Sequence, residues 1–258
     1  MAAVREPGGL LRYLILSDIH SNLEALDKSL AVAARKYDQV LCLGDLVGYG
    51  PDPNTVISRV RPLAKAIVRG NHDKACAGLT DAEDFNFLAR FATEWTRRQL
   101  TPDRYEFLRG LSAGPVRVDG VELVHGSPFD EDEYIFDSMG AVQAFQSAEA
   151  PLVFFGHSHH QGGFLLTEDK RLQSISLPPI KDDEPATISL RDDARYLLNP
   201  GSIGQPRDGD FRAAFAILDL DQRHVDFYRT PYDLAKTQEK MRNAGLPEPL
   251  IARLEVGR

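Results

Sequence analysis

Short apolar runs alternate with helical periodicity over the first third of the chain. The runs predict three buried strands, at 11–17, 39–43 and 65–68. Between them, Leu23, Leu26 and Leu30 recur at helical spacing and predict a helix over 22–37. A second, shorter helix is predicted over 53–60, with a proline near its start. This order of strands and helices is typical of a mainly parallel sheet with helices on its faces.

The pattern changes after residue 80, where two helices are predicted at 81–100 and 102–111. The first of them carries an apolar stripe, made of Phe85, Leu88, Phe91, Ala92 and Trp95. We interpret these residues, with Phe87, as helix packing in a helical cap region at about 80–111 rather than as a platform for a nucleobase.

Strands dominate from residue 115 onward, and the chain closes in helices. The predicted strands are 115–119, 121–124, 151–155, 161–166, 171–176, 194–198, 212–219 and 223–229. Helices are predicted at 232–243 and 249–254, and the segment 177–193, rich in Pro, Asp and Glu, predicts an exposed loop. We expect a single domain over 1–258, with a second sheet that is more antiparallel than the first.

Composition places the chain among soluble globular proteins. Of its 258 residues, 43% are hydrophobic and 26% are charged. The formal net charge of −8 is opposite in sign to that of proteins that coat nucleic acid, so long nucleic acid is not an expected partner. Cys42 and Cys76 are too few for a disulfide framework. No stretch approaches the roughly 18 apolar residues of a membrane span, so we expect a cytoplasmic protein with no membrane partner.

Polar side chains follow five of the apolar runs. They are Asp18 and His20, then Asp45, then Asn71, His72 and Asp73, then His125, and finally His157 and His159. Ligands of open α/β sheets bind at the carboxyl ends of strands, where these residues are predicted to lie. Residues two apart at a strand end point the same way, so each Asp-x-His or His-x-His pair can reach one ion. Imidazole and carboxylate without thiolate suit first-row divalent metals.

These residues belong to ordered strings that resemble the calcineurin-like metallophosphoesterase superfamily. The strings are SDIH, GD at 44–45, GNHD at 70–73, HG at 125–126 and GHSH at 156–159. Two more, GDLVGYGPDPN and NPGSIGQPRDG, resemble a bacterial branch of small phosphodiesterase-like members. The resemblance covers about residues 11–230. It implies an α/β fold, a four-layer αββα sandwich of two mixed β-sheets flanked by helices.

The resemblance also implies a dinuclear metal site. One ion would be held by Asp18, His20 and His159, the other by Asn71, His125 and His157, and Asp45 would bridge both. Mn²⁺ or Fe would be favoured, although Zn²⁺, Co²⁺ and Ni²⁺ also suit this ligand set. Water acidified by the ions would attack phosphorus in line, and His72 would protonate the leaving oxygen. For Asp73 we favour a role in orienting the structure.

The string GDLVGYG departs from the GDxVDRG pattern of protein phosphatases in this superfamily. Gly48 and Tyr49 stand where that pattern has an Asp that orients the general-acid histidine and an Arg that grips phosphate. The departure argues against a protein phosphatase and weakens the interpretation as a symmetrical diadenosine tetraphosphate hydrolase. We expect Arg207 to bind substrate in place of the missing arginine. Tyr49 is expected to line the mouth of the site, with or without stacking on a ring of the substrate.

An acidic cluster follows the His125 motif, at Asp130, Glu131, Asp132, Glu133 and Asp137. We interpret it as a solvated loop, which would repel long polyanions if it overhung the site.

The sequence therefore predicts a dinuclear metal-dependent phosphoesterase, and more narrowly a phosphodiesterase that acts on a small soluble phosphate ester. A nucleotide or dinucleoside-polyphosphate hydrolase is the first alternative. A protein phosphatase and a non-catalytic binding scaffold are the others. All seven ligand positions are filled, which argues against the scaffold.

Overall fold

The computed structural model describes residues 11–83 and 85–258. In this part of the chain the strands are β1 Arg12–Leu16, β2 Gln39–Cys42, β3 Ala64–Ile67, β4 Val116–Val118, β5 Val121–Leu123, β6 Leu152–Phe154, β7 Gly162–Thr167, β8 Leu172–Ile175, β9 Pro185–Ser189, β10 Ala194–Asn199, β11 Ala213–Asp219 and β12 His224–Thr230. The helices are α1 Leu23–Ala33, α2 Pro53–Val60, α3 Asn71–Cys76, α4 Phe87–Gln99, α5 Pro102–Arg109, α6 Ser138–Ser147, α7 Leu234–Asn243 and α8 Glu248–Val256.

The strands form two mixed sheets. The first has the order β3-β2-β1-β11-β12-β9, in which β3, β2 and β1 are parallel and the other neighbours are antiparallel. The second has the order β4-β5-β6-β10-β7-β8, in which β5, β6 and β10 are parallel. The expectation of two mixed sheets flanked by helices is confirmed. The expectation that the second sheet is more antiparallel than the first is wrong, because each sheet has two parallel and three antiparallel pairings.

The side chains of β1 show why its sequence is apolar throughout. Tyr13 and Ile15 join a buried core between the sheets, to which Phe154 of the second sheet also belongs. Leu14 and Leu16 point the other way, into a core that the first sheet shares with α1 and α2. Successive side chains of a strand alternate between its faces, so a strand buried on both faces needs an unbroken apolar run.

Two smaller apolar clusters complete the packing. Helix α6 covers the second sheet, where Phe145 packs with Val153 and Leu197. Helix α4 packs Ala92 among residues of α7 and α8, such as Leu250. Within the described residues, no helix is both long and apolar enough to cross a membrane.

Two predicted elements differ from the structure, and helices α3 and α6 were not predicted. The loop predicted at 177–193 contains β9, which pairs with β12 and buries Ala186. The helix predicted from residue 81 begins at Phe87, because the side chain of Asn86 accepts a hydrogen bond from Ala89 N and caps the helix there. The side chain of Asp137 caps helix α6 through Met139 N.

Candidate metal centre

The polar residues that follow the strands meet at one edge of the sandwich. Strands β1, β2 and β3 are parallel neighbours in the first sheet, as β5 and β6 are in the second. Their carboxyl ends therefore face the same way within each sheet. The backbone interlocks there, since Asp18 N donates to Gly44 O at 3.0 Å and His20 N donates to Asp45 O at 2.9 Å. Gly156 N donates to His125 O at 2.8 Å in the second sheet.

Five of the predicted ligands have left-handed backbone. Their φ angles are 52° for Asp18, 47° for His20, 51° for Asp45, 63° for His157 and 59° for His159. This conformation costs roughly 1–2 kcal/mol for a residue with a Cβ atom, and it persists only where the surrounding structure enforces it. Such strain is typical of functional sites, so the concentration of left-handed residues here supports a functional centre.

Two groups of potential ligands share one carboxylate. The first comprises Asp18, His20, Asp45 and His159, and the second comprises Asp45, His125 and His157. All are buried, and within each group the ligand atoms lie within 4.8 Å of one another. Asn71 joins the second group, since its Oδ1 lies 3.3 Å from His125 Nε2. The structure thus brings together all seven residues that the sequence predicts as metal ligands.

Backbone carbonyls determine which nitrogen each histidine presents. The Nδ1 atoms of His20, His125 and His159 lie 3.1, 2.8 and 2.5 Å from carbonyl oxygens, namely those of Val47, Leu43 and Gln205. Each ring can donate from Nδ1 and keep Nε2 unprotonated. His157 is reversed: its Nε2 lies 3.1 Å from Asp132 O, which leaves Nδ1 for a ligand.

The donor set fits divalent cations. His20 Nε2 and His159 Nε2 are 3.1 Å apart, and with Nδ1 as the donor in both rings neither nitrogen has a proton to share. Asp45 Oδ2 lies 3.5 Å from the Nε2 atoms of both His20 and His125. A cation bound between these nitrogen and oxygen atoms would be coordinated by their lone pairs, which otherwise repel one another.

The pKa values of the buried groups also indicate that the site favours positive charge. Burial disfavours ionisation of Asp18 and Asp45, yet neighbouring histidines hold both carboxyl pKa values below their usual range. Burial also disfavours charged His125, but Asp45 and Asp18 raise its pKa to about 10. Burial lowers the pKa of His157 to about 3. The two buried carboxylates thus attract positive charge, which a proton on His125 or a divalent cation can supply.

His72 lies beside the ligands in a tight aromatic enclosure. Its ring centroid is 4.4 Å from that of Tyr49, 4.7 Å from Phe85 and 5.0 Å from His20. Burial lowers the pKa of His72 to about 4, and its Nδ1 has no hydrogen-bond partner among the described residues. A Cβ atom at Gly48 would lie 2.6 Å from this Nδ1, so the aspartate of the protein-phosphatase pattern does not fit beside the ring as placed.

Asp73 stabilises the loops around the site. Its two carboxylate oxygens each accept a hydrogen bond at 3.2 Å, one from Val47 N and one from Gly70 N. Its side chain is fully buried. The contacts support the predicted orienting role.

The two predicted substrate-binding residues line a cavity of about 110 Å³ together with Asp45, His72 and His159. Tyr49 is almost fully buried, with the guanidinium of Arg207 5.8 Å from its ring centroid. Arg207 donates to Gln205 Oε1 at 3.0 Å, and within the described residues its buried Nε has no partner. Gln205 also holds His159, so Arg207 lies on the loop that supports a ligand.

The sequence analysis missed Tyr134, which lines the same cavity. Its ring stacks on that of His157, with centroids 3.7 Å apart. Tyr134 lies in the loop that carries the acidic cluster, and this loop is less solvated than predicted. Glu131 is mostly buried and pairs with Arg69 and Lys74, each at 2.8 Å. The aromatic residues within an acidic segment were the available signal, because a purely solvated loop has no need of them.

Fold and site define a class of protein, the phosphoesterases with a metal centre between two sheets. The chain belongs to the family described as the calcineurin-like phosphoesterase superfamily domain, whose model matches residues 11–223. An uncharacterised protein of Methanocaldococcus jannaschii, MJ0912, is 34% identical over 256 residues, which are 95% of this chain and 97% of that protein.

Solved structures agree with this assignment. A metallophosphoesterase from Sphaerobacter thermophilus is 39% identical, with a TM-score of 0.83 over 97% of this chain and all of that one. The hypothetical protein PH1004 from Pyrococcus horikoshii is 20% identical, with a TM-score of 0.76 over 96% and 99% of the two chains. The latter similarity shows a common fold.

Proposed function

We propose that this protein hydrolyses a small soluble phosphate ester with the help of two divalent metal ions, and that phosphodiesters are its preferred substrates. The observation that carries the proposal is the pair of buried ligand groups that share Asp45 and open into one cavity with Arg207. Paired metal ions that share a carboxylate are an established arrangement for displacement at phosphorus.

The residues divide between the two ions as the ligand groups do. Asp18, His20 and His159 would hold one ion, and Asn71, His125 and His157 the other, with Asp45 between them. Bound divalent ions neutralise phosphoryl oxygens and lower the pKa of water. We propose Mn²⁺ or Fe as the native metals, because mixed nitrogen and oxygen ligands without thiolate suit them.

We assign to His72 the donation of a proton to the leaving oxygen. It lines the cavity, and the main chain holds it in position, since His72 N donates to Asp45 Oδ1 at 2.9 Å. Burial keeps the ring neutral in the free protein. An anionic phosphate in the cavity would raise the pKa of His72, because an adjacent negative charge favours the imidazolium.

The charge of the cavity favours diesters. Among the described residues that line it, Arg207 is the one basic side chain other than histidine. A diester carries one negative charge and needs less compensation than a monoester dianion. A second cavity of about 190 Å³ adjoins the first and shares Asn71, Phe85, Tyr134 and His157 with it. This space can hold the second organic group that a diester has and a monoester lacks.

The shared aromatic rings also favour one alternative. Phe85 and Tyr134 border both cavities, and the Phe85 ring with the edge of the Tyr134 ring offers apolar contacts to an ester whose organic group is a nucleoside. A nucleotide or dinucleoside-polyphosphate hydrolase therefore remains our second candidate.

The test is a substrate comparison on metal-stripped protein reconstituted with Mn²⁺. We expect bis(4-nitrophenyl) phosphate to be hydrolysed with a higher kcat/KM than 4-nitrophenyl phosphate, and Asp45→Ala to abolish both activities. Asp192→Asn, which alters an exposed carboxylate paired with Arg223, is the matched control and should retain full activity. No metal-dependent turnover of any monoester, diester or dinucleoside polyphosphate would refute the proposal, and faster turnover of the monoester would refute the preference for diesters.

A further inference from the structure

Tyr134 sits in the middle of a stack of three rings. His157 lies 3.7 Å from it with planes inclined by 20°, and Phe136 lies 4.9 Å from it with planes inclined by 10°. Two nearly parallel neighbours at these distances must occupy opposite faces of the Tyr134 ring. The ring therefore has no free face, and only its edge and its hydroxyl can meet the cavity that it lines.

The stack fixes the orientation of His157, one of the proposed metal ligands. The His157 ring is held at Nε2 by the carbonyl of Asp132 and on one face by Tyr134. Both contacts come from the same loop, which Glu131 ties to Arg69 and Lys74. The ring orientation that presents Nδ1 to the centre thus depends on that loop.

Tyr134 and Arg207 line the same cavity, and Arg207 is the one arginine of its described lining. Burial raises the pKa of Tyr134, and the nearby positive charge of Arg207 opposes this increase. Arg207 lies on a different loop, next to Gln205, whose carbonyl oxygen is the partner of His159 Nδ1. The two loops that support His157 and His159 therefore meet at one cavity, to which they contribute Tyr134 and Arg207.

Among the described residues, no acid neutralises the charge of the Arg207 guanidinium. No carboxylate lies within ion-pair distance of it in residues 11–83 or 85–258, although the chain is acidic overall. Its effect reaches Arg253, whose pKa is lowered first by burial and then by Arg207. A partly buried cation without a counter-ion, beside a hydroxyl, is a site for an anion.

We propose that Tyr134 is a positioning and substrate-binding residue: its ring orients His157, and its hydroxyl forms with Arg207 a binding site for a phosphate oxygen of the substrate. The substrate part of this inference rests on the proposed function. It explains how the site binds phosphate although Tyr49 occupies the place of the usual arginine. It also assigns separate tasks to the ring and the hydroxyl, which substitutions can separate.

The first experiment separates them by metal binding. Mn²⁺ would be titrated calorimetrically into metal-free wild type, Tyr134→Phe and Tyr134→Leu. Tyr134→Phe keeps the stacked ring and should bind Mn²⁺ within about twofold of wild type. Tyr134→Leu removes the stack and should weaken binding about tenfold, the lower range for loss of a group that orients a metal ligand. Equal affinities in all three proteins would overturn the positioning role.

The second experiment measures binding of inorganic phosphate to the Mn²⁺-loaded proteins. Tyr134→Phe should weaken phosphate binding about tenfold, as expected for loss of a hydrogen bond to a charged group. Arg207→Met should weaken it at least as much. Adding Tyr134→Phe to Arg207→Met should then change little, because residues that act as one unit are not additive. Full affinity in Tyr134→Phe would overturn the role of the hydroxyl.

These readouts do not depend on turnover. If the wild type binds Mn²⁺ and phosphate but hydrolyses no ester, the proposed function is wrong. The two titrations still test the role of Tyr134 in that case. If turnover is found and the variants bind like wild type, the role of Tyr134 fails while the proposed function stands.

Discussion

At the scale of single residues, Gly48 determines where His72 can sit. Its φ of 93° is left-handed, and an added Cβ would lie 2.6 Å from His72 Nδ1. We expect Gly48→Ala to destabilise the fold by about 2 kcal/mol or more and to reduce kcat as the His72 ring is displaced. Gly120→Ala is the matched control, because its φ is 83° but no atom lies within 4 Å of the added carbon. Urea unfolding and kcat would be measured for both variants, and an equal loss of activity in the two would contradict the steric explanation.

His72 itself gives a second prediction at this scale. His72→Ala should retain its metal ions and lose about two to four orders of magnitude in rate with alkyl or ribose leaving groups. The loss should be smaller with nitrophenol, which departs without a proton. Rates across leaving groups of graded pKa, together with metal content by mass spectrometry, check this. A uniform loss, or loss of metal, would assign His72 a supporting role instead.

The ligand positions could be predicted from sequence because of a local rule. Each polar residue directly follows an apolar run, and in parallel strands those ends share one edge of the sheet. This rule could not predict Tyr134, because its contact with His157 depends on how the loop at 126–137 folds against residues distant in the chain. Strand β9 could not be predicted either. Ala186 and Ile188 pair with β12, which is distant in the chain, and the prolines and acidic residues around them locally favour a loop.

At the scale of elements, the loop at 126–137 is tied to the chain by ion pairs. Burial disfavours ionised Glu131, but hydrogen bonds from Arg69 and Lys74 hold its pKa below the usual range. A lowered carboxyl pKa adds stability that is present above the ordinary glutamate pKa and is lost as the pH falls through the lowered value. Glu131→Gln should therefore be less stable than wild type by about 1 kcal/mol at pH 7, and the difference should shrink as the pH falls below the ordinary glutamate pKa.

Urea denaturation at several pH values checks this prediction. Glu184→Gln serves as the control, because its partner Lys181 is exposed and the pair adds little. A stability difference for Glu131→Gln that persists unchanged at pH 3 would show that the ion pairs are not its cause.

At the scale of the whole molecule, the candidate metal centre draws its residues from both sheets. Asp18, His20 and Asp45 follow strands of the first sheet, whereas His125, His157 and His159 follow strands of the second. Ligands that bind only the folded state stabilise it, by about 2.7 kcal/mol at a hundredfold excess over Kd. Tm should therefore rise with Mn²⁺ concentration and fall on chelation. Asp45→Ala should abolish this response, while His125→Ala should recover it at higher Mn²⁺; a Tm independent of Mn²⁺ in the wild type would contradict the arrangement.

The close approach of the ligand loops also limits the size of the metal ion that the site can bind. Gly70 lies so near Asp45 that a Cβ atom there would overlap the carboxylate, and five ligand residues hold left-handed backbone. The ligand residues cannot move apart without breaking these main-chain contacts. Small divalent ions coordinate oxygen and nitrogen near 2.1 Å, whereas Ca²⁺ prefers about 2.3–2.6 Å and more ligands. The protein should thus discriminate against Ca²⁺ even at millimolar excess, through the stiffness of its backbone in addition to the preference of its imidazole ligands for transition metals.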